Sequence, residues 1–483
     1  MIAPRRTPGA ERSEPATVSP APVAFLAVSL GALALFFLLR PFLGGQDAYR
    51  PRPPGTTYDY WFVVLAAFPA YAFALARFRH GGPPVRTLLR WTAILYAVLI
   101  PAAAVQSQDV YQYLVYGKMA SGGVNPYVVD PATTGDAWLR FTLWDDARTV
   151  YGPLWTAVSA AVVRGADGSL QAAFIGMKAV TAGLAVTSAW LLAAATRGPG
   201  RDGGTAVLAF ALNPLVVVSV GVGAHADIAV AAAFAGAALA LRRERPIGVT
   251  LLLVVAMLVK AYAGLALLAW LIALVRRRGW GSALTHTGVA GVTIASAYSP
   301  FWEGPARTFT GLGQIARLSS ASLTGSIERL LSGSPSEAAT AVPAVRIAAL
   351  VLLVVAIAWV ARSRDDDPWA AGSALLGVYV LLSPWYLPWH LLGPLALAAL
   401  LHPDSWVARS IQTFSATSLV VAGGTSAFGG RLAEAGLVLQ SLLRYVPPLW
   451  VARLSSRPGT PRSTPASRER SGAGRRSPAD DTS

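Results

Sequence analysis

Apolar runs recur along the chain from Ala21 to the 440s, separated by short polar stretches: 21–39, 59–76, 88–105, 170–195, 205–222, 226–241, 247–275, 280–302, 343–361, 369–387, 388–401, 407–426 and 433–452. Most are close to the twenty residues that a helix needs to cross a bilayer. The pattern predicts an all-α integral membrane protein, a polytopic helical bundle of about 13 (12–14) transmembrane helices. The first run is too long for a signal-peptide core, ends in Arg40-Pro41 and has no small-residue cleavage site after it, so it reads as an uncleaved span. The run 150–163 is too short to cross and reads as re-entrant or interfacial.

Arginines set the orientation. Arg77, Arg79, Arg86 and Arg90, then Arg242-Arg243-Glu244-Arg245, then Arg276-Arg277-Arg278 and the tail from Arg453 are expected on the cytoplasmic side. The loop 106–149 carries Asp109, Asp130, Asp136, Asp145 and Asp146 and belongs outside. Parity then requires 247–275 to be two short helices that meet near Lys260, because basic clusters close both of its ends. Backbone breaks at that depth only where protein or a water-filled cavity satisfies it, so a cavity is expected there. The resulting layout is a cytoplasmic segment 1–20, a membrane domain 21–452 with outer loops 106–149 and 303–342, and a disordered basic cytoplasmic tail 453–483. In the second loop Ile315, Leu318, Leu323, Ile327, Leu330 and Leu331 have loosely helical spacing and suggest an interfacial helix or a plain connecting segment.

Composition narrows the chemistry. Over half the residues are apolar and 13% are charged, with mean hydropathy +0.50, which excludes an ordinary soluble enzyme. The net charge of +16 sits in short loops and the tail rather than on one face, so no nucleic-acid partner is expected and the lipid bilayer is the main one. Without cysteine there is no disulfide framework, thiolate metal site or thiol nucleophile. The glycine-rich phosphate loop and the HExxH motif are absent, no metal site is expected, and Asp365-Asp366-Asp367 reads as a charge-balanced turn.

Candidate chemistry lies in the outer segments. Asp109 opens a loop at a membrane boundary, followed by Tyr111, Tyr113, Lys118, Asn125 and Tyr127. A carboxylate there is a functional candidate, with a solvated loop aspartate among interfacial tyrosines as the alternative. In an extended segment Asp109, Tyr111 and Tyr113 share a face, suited to stacking on a sugar. Tyr151-Gly152-Pro153 breaks the chain at the short run. His225 and Asp227 are an ionisable pair between two spans. Lys260 follows thirteen apolar residues and precedes Tyr262; it either snorkels to the interface or neutralises an anionic lipid headgroup. Trp385, Tyr386, Trp389 and His390 share a stretch with two prolines, a density of breakers that an interfacial aromatic belt does not explain.

These segments in this order resemble the GT-C superfamily of membrane glycosyltransferases, specifically bacterial polyprenol-phosphate-mannose-dependent α-mannosyltransferases. Asp109-Val110-Tyr111-Gln112-Tyr113 through Gly122-Gly123-Val124-Asn125-Pro126-Tyr127 is similar to the family's Asp-x-Tyr-Arg-Tyr and Gly-x-Asn-Pro-Tyr pattern, with Gln112 and Lys118 where arginine is usual. Tyr151-Gly152-Pro153 is similar to its Tyr-(Pro/Gly)-Pro motif, and Gly223-Ala224-His225-Ala226-Asp227 to its Gly-His-Asn-Asp, with a displaced glycine and alanine for asparagine. The resemblance implies a GT-C-like bundle that transfers mannose, with inversion, from a polyprenyl-phosphate-sugar donor to a lipid-linked or cell-envelope glycan or glycolipid. It implies a site on the outer face of the bacterial plasma membrane with both termini cytoplasmic. Asp109 is then the general base, with Lys118, Lys260 or nearby arginines for the departing phosphate. No cofactor beyond the donor substrate is predicted, with a divalent metal left open. Open alternatives are an arabinofuranosyl or glucosyl phosphate donor, and a transporter or flippase of lipid-linked sugars.

Overall fold

A computed structural model describes residues 21–44, 58–78, 83–104, 107–198, 203–318, 320, 322–363, 366–427 and 433–455. The segment 1–20, the tail beyond 455, and Arg79, Gln106 and Asp365 lie outside these residues. Among the described residues the architecture is all-helical, with no strand.

Three helices open the chain: α1 (Ala21–Gly44), α2 (Tyr58–Phe78) and α3 (Val85–Val98). The expected outer loop 106–149 instead begins with a helix, α4 (Asp109–Ser121), which packs on the short α5 (Pro153–Gly165). Then come α6 (Leu170–Thr196) and α7 (Gly204–Phe210), followed by α8 (Pro214–Val216), which runs into a widened π-type turn, Val217–Val222. The centre is α9 (Asp227–Arg242), α10 (Pro246–Met257) and α11 (Gly264–Tyr298), the last kinked at Gly279. Short helices α12 (Pro305–Thr308), α13 (Thr310–Ile315) and α14 (Leu323–Leu330) lead to α15 (Pro335–Arg362), which starts eight residues before the expected span. The chain ends with α16 (Pro368–Leu382), α17 (Leu392–Leu400), α18 (Trp406–Ala427) and α19 (Ala433–Ser455), so helix continues past the expected start of the tail at 453.

Among the described residues two helices, α6 and α15, are long and apolar enough to cross a membrane, and a third span arises if α7 and the bent segment Pro214–Val222 count as one. Five further apolar helices have 10–17 residues, α10 and α16 among them. The apolar face of α15 is exposed at Ile347, Leu350, Val351, Val354, Val355 and Trp359. Two apolar cores meet around α9: one joins α1–α3 to α7, α17 and α18, and the other joins α4 and α5 to α10 and α11.

The apolar stretch 247–275 is broken, as its flanking arginines require. α10 stops at Met257, a 3-10 turn spans Ala261–Ala263, and α11 starts at Gly264. The freed carbonyls receive donors from the Tyr151-Gly152-Pro153 segment: Gly152 N–H reaches Val259 O at 2.9 Å and Leu154 N–H reaches Leu258 O at 3.2 Å. Glycine is required at 152, since a Cβ there would sit 2.0 Å from Leu258 O. Asp227 and Lys260 therefore stand at one end of α9–α11, and Arg242 and Arg276 at the other ends of those helices, about 20 Å away at 1.5 Å per residue.

Gly152→Ala is expected to force α5 off the break and destabilise the fold by at least about 1–3 kcal/mol. Gly165→Ala, with nothing within 4 Å of its Cβ, is the control and should be neutral or stabilising. Thermal unfolding in detergent distinguishes them; equal midpoints would refute the close approach.

Candidate active site

Asp109 is the first residue of α4, where the helix dipole favours a carboxylate, and its N–H is held by Ser107 Oγ at 3.0 Å. Because the segment is helical rather than extended, Asp109 and Tyr113 share a face and Tyr111 does not. Tyr111 stacks between Phe141 and Phe174, at ring separations of 5.5 and 5.4 Å. Tyr113 stands edge-on to Tyr151 at 4.8 Å, and its hydroxyl accepts the Ala226 N–H at 3.3 Å. The Tyr151 hydroxyl and His225 Nδ1 each lie 3.4 Å from Asp109 Oδ2.

The turn after α8 delivers the second set of groups. Ala224 adopts a left-handed backbone (φ 54°), and the His225 N–H closes onto Ser219 O at 3.2 Å. His225 is fully buried and lies face to face with Trp389 at 3.7 Å. Neither of its ring nitrogens makes a well-aligned hydrogen bond within the protein. Asp227 opens α9 and is fully buried. It accepts from Lys260 Nζ at 2.7 Å and from the Tyr262 hydroxyl at 2.8 Å. Lys260 Nζ also lies 5.4 Å from the centre of the Tyr151 ring, so a single aromatic ring separates the Lys260–Asp227 pair from Asp109.

Beside Lys260 opens a cavity of about 430 Å³. Lys260, Tyr262, Arg346, Tyr379, Trp385 and His390 give it polar and aromatic walls, and Ile315, Leu350, Leu353 and Leu382 an apolar side that continues onto α15. Neither Asp109 nor Tyr151 is among its lining residues; Lys260 lines it, and the Tyr151 ring stands between Lys260 and Asp109. Burial pushes the Asp109 carboxyl up, but the nearby His225 ring, the charge of Lys260 and the Ser107 hydroxyl outweigh it and hold the group below its usual value. Asp109 is thus ionised at neutral pH and able to take a proton. Among the described residues no three His, Asp or Glu side chains converge on one point.

A sequence model of the family described as α-(1→6)-mannopyranosyltransferase, N-terminal domain, matches residues 47–276. Two curated proteins are similar, both named α-(1→6)-mannopyranosyltransferase A. That of Mycobacterium tuberculosis is 28% identical over 359 residues, covering 69% of this chain and 68% of the relative. That of Corynebacterium glutamicum is 25% identical over 351 residues, covering 65% and 71%. The chain resembles bacterial mannosyltransferases of the GT-C type.

The stretch matched by the mannosyltransferase family contains Asp109, Tyr113, Tyr151, His225, Asp227, Lys260 and Tyr262; Tyr379, Trp389 and His390 join the same cluster from beyond it. The remaining sequence candidates lie elsewhere. Lys118 pairs with Asp136 at 2.5 Å and sits over Trp138. Asn125 ties its turn to Phe301 O, and the Tyr127 hydroxyl bonds Tyr151 O at 2.8 Å, supporting the site from behind. Trp385 reaches the cavity rim and packs edge-on to Trp144, while Tyr386 is buried against Phe414 and Ser418. Sequence reasoning missed Tyr379, which stacks on Tyr262 at 5.8 Å, and Arg346. Arg346 was findable as the only charge between Glu337 and Arg362 in a long apolar helix.

Lys260→Met leaves Asp227 buried without its cation and is expected to destabilise the protein by about 3–5 kcal/mol. Adding Asp227→Asn should recover part of that loss, read as the thermal midpoint in detergent. A single variant as stable as wild type would show that the pair is not the anchor its geometry indicates.

Proposed function

We propose that the protein is a polytopic membrane mannosyltransferase that moves mannose from a polyprenyl-phosphate donor to a glycan or glycolipid on the extracytoplasmic face of the bacterial plasma membrane. Asp109 is the general base. The observation that carries this reading is the placement of an ionised Asp109 one ring away from a cationic, aromatic cavity that is apolar on its α15 side. An isoprenoid chain suits the apolar side, and a phosphate suits the end that holds Lys260 and Arg346. The reaction needs little more. The acceptor oxygen attacks the anomeric carbon from the face opposite the phosphate, the C–O bond to phosphate breaks with its electron pair leaving on the lipid phosphate, and Asp109 takes the hydroxyl proton. Inversion follows from the single displacement.

The membrane part of the proposal is about 13 spans with both termini cytoplasmic. It is supported by the exposed apolar face of α15, a surface that water would not tolerate at that size. It is further supported by the segregation of arginine clusters from the Asp109–Lys260 end of the central helices.

Membranes containing wild type or Asp109→Asn, given radiolabelled polyprenyl-phosphate-mannose and extracted lipid-linked glycans, test the reading. Wild type should label a glycan, and Asp109→Asn should lose at least about a hundredfold in rate at equal protein level. Full activity in the variant would remove Asp109 as the base. Labelling by an arabinofuranosyl or glucosyl donor instead would change the sugar but not the chemistry. If no donor is consumed while lipid-linked sugar crosses the bilayer, the protein is a transporter.

A further inference from the structure

Lys178 lies in the first half of α6, 2% exposed, the one charged residue of that helix, and the chemistry above does not use it. Its ammonium donates to the main-chain carbonyls of Gly221 and Val222, the second at 2.9 Å. These are the last two residues of the π-type turn Val217–Val222, which leads directly into the turn carrying His225 and Asp227. Beyond them Ala224 holds a left-handed backbone, which a residue with a Cβ keeps only when its surroundings over-determine it. Two groups do so from opposite sides: Lys178 holds the carbonyls before Ala224, and the Tyr113 hydroxyl holds the N–H of Ala226 after it. A hydrophobic side chain would pack at 178 more readily than a lysine, and the Lys178 Nζ meets those two carbonyls instead.

We propose that Lys178 is a positioning residue for the transfer reaction. Its ammonium fixes the Gly221–Asp227 turn, and through it sets His225 against Asp109 and Asp227 against Lys260. The proposal rests on the transferase reading above, and its test separates the two.

Full-length protein with Lys178→Met, Lys178→Gln or Lys178→Arg is compared with wild type and Asp109→Asn in detergent. At saturating donor, Lys178→Met is expected to lower kcat about ten- to a hundredfold per folded molecule with KM little changed, the size of effect that a small misplacement of reacting groups produces. Lys178→Arg, which keeps the cation, should restore part of the rate. In a His225→Ala background the further loss caused by Lys178→Met should be smaller than its effect in wild type, because only the Asp227 part of the turn is left to disturb. Independently of activity, the chain has only five histidines, so the His225 signal in a 15N-histidine spectrum can be assigned by its disappearance in His225→Gln. That signal should move in Lys178→Met.

Unchanged kcat with an unmoved His225 signal overturns the proposal, and so does a loss confined to folded yield or thermal midpoint. If the methionine variant does not fold, Lys178→Gln is judged by the same two readouts, together with Gly223→Ala, whose Cβ would come 2.7 Å from the His225 ring. Wild-type kcat and spectrum in both would overturn it. If wild type transfers sugar from none of the donors named above, the transferase reading fails and the histidine signal alone decides whether Lys178 holds the turn; if Asp109→Asn retains full rate, only the base assignment falls and both readouts still apply.

Discussion

A helix interrupted inside an apolar region frees main-chain carbonyls that must find donors, and the break between Met257 and Gly264 governs the site for that reason. Its donors come from Gly152 and Leu154, more than a hundred residues earlier, and the approach is close enough to forbid a side chain at 152. Satisfying the backbone therefore fixes Tyr151, whose hydroxyl faces Asp109. At the break Lys260 takes an extended backbone and its ammonium meets Asp227, which ties α10 and α11 to the start of α9. One requirement, that no carbonyl stay unpaired, thus arranges Asp109, Lys260 and Asp227 together.

The charges are arranged with the same economy. Asp109 and Asp227 each open a helix, but a helix N-terminus contributes at most about 2 kcal/mol, less than the several kcal/mol lost on burying a lone carboxylate. Asp227 therefore keeps Lys260 and Tyr262 as direct partners. Asp109 is less enclosed, with its side chain 13% exposed, and has only looser neighbours at 3.4 Å. A carboxylate locked into short ionic hydrogen bonds is a poor proton acceptor, whereas one with free lone pairs and modest exposure is a good one. Asp227 is thus held by short ionic contacts and Asp109 is not.

What the sequence disclosed, and what it hid, follows the reach of each signal. The break near Lys260 was legible because arginine clusters on both sides left no other parity, and the short run at 150–163 because its length fell below a span. The convergence of Asp109, His225, Asp227, Lys260 and the 385–390 stretch was legible as polar groups facing one side of an apolar bundle. The orientation of Tyr111 was not, since extended and helical readings of 109–113 place different residues on one face and only packing on α5 selects the helix. Lys178 was visible only as one of three lysines, because the carbonyls it holds come from a turn with no sequence signature.

The departures from the resembled pattern are consistent with this division. Gln112 is buried in the core, Lys118 is committed to Asp136 and Trp138, and Ala226 contributes its main-chain N–H to Tyr113, so none of the three bears on the cavity. The cavity draws its cations from Lys260 and Arg346, and each arrives with a carboxylate of its own, Asp227 and Glu328. On the proposed reading the bound donor is a phosphodiester with a single negative charge, while the departing lipid phosphate gains a second, titrating near pH 6. Two pre-paired cations give a near-neutral cavity that attracts the donor weakly. As the bond breaks and charge grows on phosphate oxygen, the same ammonium and guanidinium have a stronger competitor for their hydrogen bonds. An interaction that strengthens only as the bond breaks lowers the barrier rather than merely tightening the ground state.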